Sequence, residues 1–369
     1  MAKGKDKKRL LRTTGRLIEL LPNLLFLLLY GIAMLSPDLS PEKSQIPAFL
    51  NMAFCLFMLL LLLALIFYLI RRKWVYTAVY LGVVFLSWGY LWSYFPLNLN
   101  KGLSKERDLR VMTYNVEGFE SRDSEGHLMA TDVIAQYAPD ILALQEANIS
   151  PSALAKRQSV KRYFGEEYPY IRTYRSQMIA SKFPILAEEE IEYGTATNGS
   201  IAYLIQHPNG KKILVVNNHM ESYALKHSEK EKYKGFIKKI QLSKLLDHIS
   251  EIKGRLGPHL NLRSAAARKV QQELGQLVDL YQPDLTIVLG DLNDTPMSYT
   301  YQKLRGGMRD SFRDVGCGLG VSYNDPWMPF RIDHLFYSGA ATAKGGAIPK
   351  HRNASDHNPL IIDFDWKEN

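Results

Sequence analysis

Residues 285–294, LTIVLGDLND, form an apolar run that ends abruptly in carboxylates and an amide. Five consecutive apolar or β-branched residues read as a strand buried on both faces. The burst Gly290-Asp291-Leu292-Asn293-Asp294 then puts polar side chains at the strand's C-terminal end. That is the usual place for a site in a layered α/β fold. Asp291 and Asn293, two apart, face the same side of an extended segment.

The pattern recurs on both sides of this stretch. Residues 110–116 (RVMTYNV) run into Asn115 and Glu117, and residues 140–145 (DILALQ) into Glu146. Residues 201–206 and 212–217 flank Pro208-Asn209-Gly210, a hairpin signal, and the return strand ends in Asn217-Asn218-His219. Residues 333–337 and 360–364 also read as strands, the latter preceded by Ser355-Asp356-His357-Asn358-Pro359. Helices fit 131–137 and 264–281. No segment repeats. The expected fold is α/β, with mixed sheets stacked and helices outside. Each burst alone is weak: a Glu after a strand is more often a cap or surface residue, and SDHNP alone could equally be a turn.

At 369 residues the chain allows two or three units, or one large domain with an appendage. Its 46% hydrophobic and 11% aromatic content excludes wholesale disorder, and two cysteines exclude a disulfide scaffold. The net charge of +9 invites a nucleic-acid reading, yet +7 of it falls in residues 1–100 and only +2 in the rest. The mean hydropathy of −0.17 hides a similar division.

Three apolar stretches, 17–35, 46–70 and 74–95, each approach the roughly 20 residues of a membrane-spanning helix. A signal peptide is the alternative for the first, but no small-residue cleavage site follows it. Basic clusters precede the first stretch (Lys3, Lys5, Lys7, Lys8, Arg9, Arg12, Arg16) and separate the last two (Arg71-Arg72-Lys73). Positive charge marks the cytoplasmic side, so three transmembrane helices put the remainder outside the cytoplasm. The expected organisation is a membrane anchor over 1–97 with its N-terminus cytoplasmic, a polar linker over 98–107, and a catalytic domain over 108–369. In a bacterium that domain is periplasmic or extracellular.

Taken in order, YNV (114–116), LQE (144–146), the SKFPI strand (181–185), NNH (217–219), GDLND (290–294), RIDH (331–334) and SDHNP (355–359) resemble the endonuclease/exonuclease/phosphatase family. These metal-dependent phosphohydrolases include DNase I, abasic-site endonucleases, neutral sphingomyelinases and inositol-polyphosphate 5-phosphatases. The resemblance covers about residues 108–366 and implies a DNase I-like layered α/β sandwich of two mixed β-sheets flanked by helices. It assigns a Mg²⁺ ion, or Mn²⁺, to Glu146, Asn115 and Asp356. It gives Asp291 and Asn293 the attacking water, and His357 the phosphate or the proton. Asp333 steadies His357, and His219 donates to a phosphoryl oxygen. Hard cations of this kind want oxygen ligands and keep several waters. Asn218 stands where the family usually has Thr, and SKFPI follows Arg175, Ser176, Gln177 and Met178 rather than small residues. We assign no catalytic Tyr there.

Residues 223–262 read as an inserted helical pair, with the ordinary helix starting at Ser264. Twelve basic residues against four acidic ones between 226 and 269 suit a solvated helical face, or a patch for lipid headgroups or nucleic acid. Trp327-Met328-Pro329-Phe330 adds apolar residues beside RIDH. The expected function is a membrane-anchored, Mg²⁺-dependent phosphodiesterase, with the lipid bilayer as partner and a lipid headgroup or nucleic acid as substrate. The alternatives are a phosphomonoesterase of the same family and a catalytically silent phosphate- or membrane-binding module.

Overall fold

The computed structural model describes residues 2–121, 124, 128–147, 164, 167–194, 198–223, 245–325, 329–351 and 353–367. Its N-terminal part is helical: α1 (Ala2–Ala33), α2 (Ile46–Met52), α3 (Phe54–Ile70), α4 (Trp74–Leu86) and α5 (Trp88–Tyr94). Aromatic rings join these helices. Tyr30, Phe54, Phe57, Tyr80 and Tyr94 are buried together, with Phe54 and Tyr94 at 4.8 Å. Asn23 is buried among them and exchanges hydrogen bonds with Tyr68 and Tyr80. No single helix here is long and apolar enough to cross a membrane. The two later stretches are instead bent pairs, α2 with α3 at 69° and α4 with α5 at 66°. At the second bend the Ser87 hydroxyl donates to the Val83 carbonyl, a bond that favours bending.

Large exposed apolar side chains among the described residues lie almost all between 17 and 99; beyond them stand only Leu186, Leu262, Leu280 and Leu319. The burial pattern thus changes sharply where the sheets begin.

Strand β1 (Leu109–Asn115) is followed by helix α6 (Met129–Tyr137) and strand β2 (Ile141–Gln145). Then come β3 (Tyr170–Tyr174), β4 (Gln177–Ser181), β5 (Ile185–Ile191), β6 (Gly199–Gln206) and β7 (Lys212–His219). Helix α7 (Leu245–Tyr281), β8 (Leu285–Asp291), α8 (Tyr299–Arg305), β9 (Arg309–Asp310) and α9 (Ser311–Val315) follow. The chain closes with β10 (Asp333–Gly339), β11 (Ala341–Ala347) and β12 (Leu360–Trp366). Two six-stranded mixed sheets result, in the orders β11-β12-β1-β2-β4-β3 and β5-β6-β7-β8-β10-β9.

Each sheet has one parallel pair, β1 with β2 and β7 with β8. Parallel neighbours need a crossover, and a helix lies between the strands of each pair, α6 in one and α7 in the other. Alternation along a strand then sorts the core. Val111, Ile141, Ile287 and Leu289 point into the space between the sheets, with Tyr203, Val215 and Leu335. Met112 and Leu142 pack outward beside Val133 and Ile134 of α6, while Val216 and Val288 pack against Ala267, Val270 and Leu274 of α7. Truncating one such side chain to Ala costs about 2–5 kcal/mol.

Two expectations are corrected. Residues 181–185 are not a strand: β4 ends at Ser181 and β5 begins at Ile185, so SKFPI is the corner where the chain changes sheets. Pro184 has no N–H for a ladder, and its carbonyl accepts from Gln206 instead. No helix starts at Ser264 either. Helix α7 is continuous from Leu245, carries Pro258 inside, and buries Ser264 with its hydroxyl bonded back to the Asn261 carbonyl. Residues 226–244, which carry most of the basic residues expected over 226–269, lie outside the described residues, as do Trp327 and Met328.

The helical part is docked on the sheets. Gln45 donates to Asn261, Arg268 to Glu42, and the Arg331 guanidinium to the Ser93 carbonyl. The expected linker is also tied down: Asn98 donates to the Arg313 and Gly316 carbonyls, and the Ser104 amide to Asp363.

Candidate active site

The two parallel pairs end together. Asn115 and Gln145 are opposite one another at the tips of β1 and β2, as are His219 and Asp291 at the tips of β7 and β8. Asp333, at the start of β10, is opposite Asp291 on its other side. The junction between the sheets is stitched by amides. Asn217 donates to the Leu144 carbonyl across the gap and accepts from Gln145 at 2.7 Å. Gln145 and Asn217 stand inside the LQE and NNH motifs, where the sequence alone assigns them no role.

Gly290 makes the β7–β8 tip feasible. Its φ of 129° suits glycine, and a Cβ there would lie 2.0 Å from the Asn218 carbonyl oxygen. Asn218, in the position of the family's usual Thr, turns away from the site. Its amide donates to the Leu289 carbonyl and its oxygen accepts from Ser200.

Asp291 is the hub, 1% exposed. One oxygen accepts from the Asn293 amide N–H at 2.9 Å, and the other from the Asn115 side chain at 3.0 Å. That second oxygen is 3.8 Å from His357 Nε2 and 4.0 Å from His219 Nε2. The Glu146 carboxylate accepts from the same Asn115 amide at 3.0 Å and lies 3.6 Å from His219 Nε2. Its side chain is 42% exposed, so the acidic cluster opens to solvent through Glu146. His219 meets the Ser176 hydroxyl at Nδ1, 3.4 Å away.

His357 Nδ1 is 2.8 Å from Asp333 Oδ2, which assigns the proton on Nδ1 to that bond. The Asp333 and Ile332 amides both donate to Ser322, a residue that no motif marked. Burial alone would lower the His357 pKa. The Asp333 and Asp291 carboxylates and the Asp333 hydrogen bond outweigh it and push His357 up to about 10. Burial raises the Asp291 carboxyl, partly offset by the nearby His357. Glu117 is raised by burial and by Asp356, whose amide donates to it.

Glu146, His219 and Asp291 bring ligand atoms within 4.8 Å of one another, as do Asp291, Asp333 and His357. Asp356 belongs to neither group among the described residues. Asn115 turns its NH₂ to the carboxylates, and its oxygen accepts from the Glu117 amide. The first group fits a hard divalent cation: two carboxylates converge at a partly open edge, with the Asn115 amide bonded to both and His219 beside them. Asn293, Glu146 and Glu117 have φ near +50°, strain of the kind that clusters at functional sites.

The sequence profile of the endonuclease/exonuclease/phosphatase family matches residues 112–357. That is well over half the chain and includes every residue of this cluster. The protein is therefore a hydrolase of phosphoric esters. It belongs to the endonuclease/exonuclease/phosphatase family. A second profile, described as a domain of unknown function, matches residues 15–94. Over 74 residues the chain is 36% identical to a DNA-(apurinic or apyrimidinic site) endonuclease of Dictyostelium discoideum, 20% of this chain and 19% of that one. The chain thus spans about a fifth of that relative.

Solved structures similar to it include an endonuclease/exonuclease/phosphatase from Beutenbergia cavernae, at 17% identity and TM-score 0.44 over 71% of this chain and 72% of that one. The human Nocturnin catalytic domain aligns at 15% identity and TM-score 0.48, over 74% and 100%. A Bacteroides vulgatus member aligns at 15% and 0.47, over 71% and 100%.

Proposed function

We propose that the protein is a metal-dependent phosphodiesterase held in a membrane by α1–α5, with residues 108–369 as its catalytic domain on the side away from the N-terminus. The observation that carries the catalytic part is the convergence of Glu146, His219, Asp291 and the His357–Asp333 pair at the strand tips. Glu146 and Asp291, bridged by Asn115, would hold Mg²⁺ or Mn²⁺, with Asp356 the further ligand that the family resemblance implies. When bound, that ion supplies charge neutralisation of the phosphoryl oxygens.

The side chains divide the remaining work. Asp291, buried at the hub of the cluster, orients the attacking water toward phosphorus. Asn293 donates to both Asp291 and the Met220 carbonyl and so fixes the carboxylate's direction. His357 carries its proton at neutral pH, so it steadies phosphoryl charge rather than acting as the base. Asp333 keeps that proton in place, and His219 donates from the opposite side.

Membrane attachment is supported by the exposed apolar surface between 17 and 99 and by the two bent helix pairs. The apolar part of α1 is about 25 Å long, against about 30 Å of hydrocarbon. The bundle end holding Glu42, Gln45 and Ser93 abuts the sheets. Lys73 pairs with Glu19, away from those contacts. An up-down-up path would leave both basic clusters on the far side.

A phosphodiester in a lipid headgroup is the favoured substrate, since RIDH touches the bundle directly through Arg331. Nucleic acid is the second reading, supported by the local likeness to an apurinic/apyrimidinic endonuclease. The full chain in vesicles, offered phospholipids, sphingolipids, DNA and RNA beside its Glu146→Ala variant, decides between them. Glu146-dependent release of a headgroup supports the first. Turnover of nucleic acid alone overturns it.

A further inference from the structure

The loop that leaves β8 carries Asn293 and then runs straight into the helical bundle. Thr295, two residues on, is buried, and its hydroxyl accepts from the Tyr94 hydroxyl at 2.9 Å and from the Asn51 amide at 3.4 Å. Tyr94 and Asn51 are themselves in contact, and both are buried. Met297 completes the anchorage: it packs in the aromatic cluster of Tyr30, Phe54 and Tyr94 rather than in any core of the sheets.

This loop does not hold its shape by local preference. Asn293 has φ 50° and Met297 φ 73°, and neither is a glycine. Such conformations cost of order 1–3 kcal/mol each and persist where surroundings enforce them. On the sheet side the enforcement includes the Leu292 amide to the Ile332 carbonyl, the Asn293 side-chain amide to the Met220 carbonyl, the Asp294 carbonyl against His334, and the Asp294 carboxylate 3.6 Å from Arg263. On the other side it comes from the helical bundle, through Asn51, Tyr94 and the aromatic cluster around Met297.

We propose that Thr295 is a positioning residue for Asn293, held by Tyr94 and Asn51, so that the N-terminal helices are a working part of the catalytic centre and not only an anchor. The proposal rests on the reading of Asn293 and Asp291 as catalytic. Loss of the Tyr94–Thr295 bond frees the loop. Asn293 then directs the Asp291 carboxylate less well, and turnover falls while the site still admits substrate.

The test uses the full chain in detergent micelles with Mg²⁺ and bis(4-nitrophenyl) phosphate. Tyr94→Phe and Thr295→Val should each lower kcat roughly three- to tenfold, the size of one hydrogen bond, with KM little changed. The double variant should fall no further than either single, and Thr295→Ser should keep the rate. Amide exchange over 290–298 should quicken in Tyr94→Phe and Thr295→Val, with β1 and β7 unaffected, whether or not this ester is turned over. Rates and loop exchange equal to wild type in both variants, or strictly additive losses, overturn the proposal. His357→Ala separates the two layers. An active His357→Ala sinks the catalytic reading, whereas a dead one beside a fully active Tyr94→Phe sinks only the coupling.

Discussion

Asp333 Oδ2 lies 2.8 Å from His357 Nδ1 at the floor of the site, with both side chains almost wholly buried. The imidazole therefore has its Nδ1 side committed to a carboxylate, and its Nε2 edge turned to Asp291 at 3.8 Å. A histidine placed between two acids holds its proton.

The first prediction is a titration. In the metal-free protein the His357 ring stays imidazolium through pH 8 and loses its proton only as the pH climbs toward about 10. Because the folded pKa is raised, the stability it contributes is complete below about pH 6.5 and is lost as pH rises through that higher value. NMR of ring-labelled protein reads it directly. Asp333→Asn should move the titration down by at least about one unit. A wild-type midpoint near 6.5 contradicts the assignment.

His334, next in the chain, behaves oppositely. It is buried against Tyr301 and Phe336 with one ring nitrogen bonded to the Asp294 carbonyl, and burial, with Arg331 nearby, lowers its pKa to about 3. A neutral buried histidine favours the fold fully above about pH 6.5, and that contribution drains away as pH falls toward 3. Urea midpoints at pH 7 and pH 5 should diverge more in wild type than in His334→Asn. Equal divergence would remove His334 as the cause.

Gly290→Ala should be severe. The new methyl would collide with the Asn218 carbonyl at the point where β7 and β8 present His219 and Asp291. The cost expected is roughly 2–5 kcal/mol of stability, with loss of activity. Gly275→Ala is the control: open space surrounds that position in α7, and the helix should gain up to about 1 kcal/mol. Comparable denaturation midpoints for the two variants would show that the β7–β8 tip tolerates a side chain.

Membrane attachment has its own check. The full chain should stay with the membrane fraction through alkaline carbonate and high salt, and a protease added outside should reach residues beyond 98 but not Lys3–Arg16. Release by carbonate, or protection of the sheets in intact cells, reverses the account of residues 1–97.

Much of the site is legible in the sequence for a physical reason. Asn115, Glu146, His219 and Asp291 each close or follow an apolar run, so one strand reading finds the residue and its location together. The SDHNP and RIDH residues needed the family pattern, since Asp, Asn and Pro make turns as readily as sites. Thr295 was silent, and Arg331 stood in RIDH without a role of its own. Thr295 looks like a turn residue after GDLND, and its meaning comes from Tyr94, about two hundred residues earlier. Helix continuity through Pro258 and Ser264 was hidden as well, because both are ordinarily breakers or caps and packing of α7 on the second sheet overrides them. The bends at Ala53 and Ser87 break what hydropathy reads as unbroken spans.

The most direct measurement is phosphodiester hydrolysis by the full chain with Mg²⁺, repeated in EDTA and with His357→Ala. We expect turnover that vanishes in EDTA, returns when Mg²⁺ is restored, and falls by at least about a hundredfold in His357→Ala. Hydrolysis that persists undiminished through both changes would contradict the central claim that this acid–imidazole cluster and its metal carry the reaction.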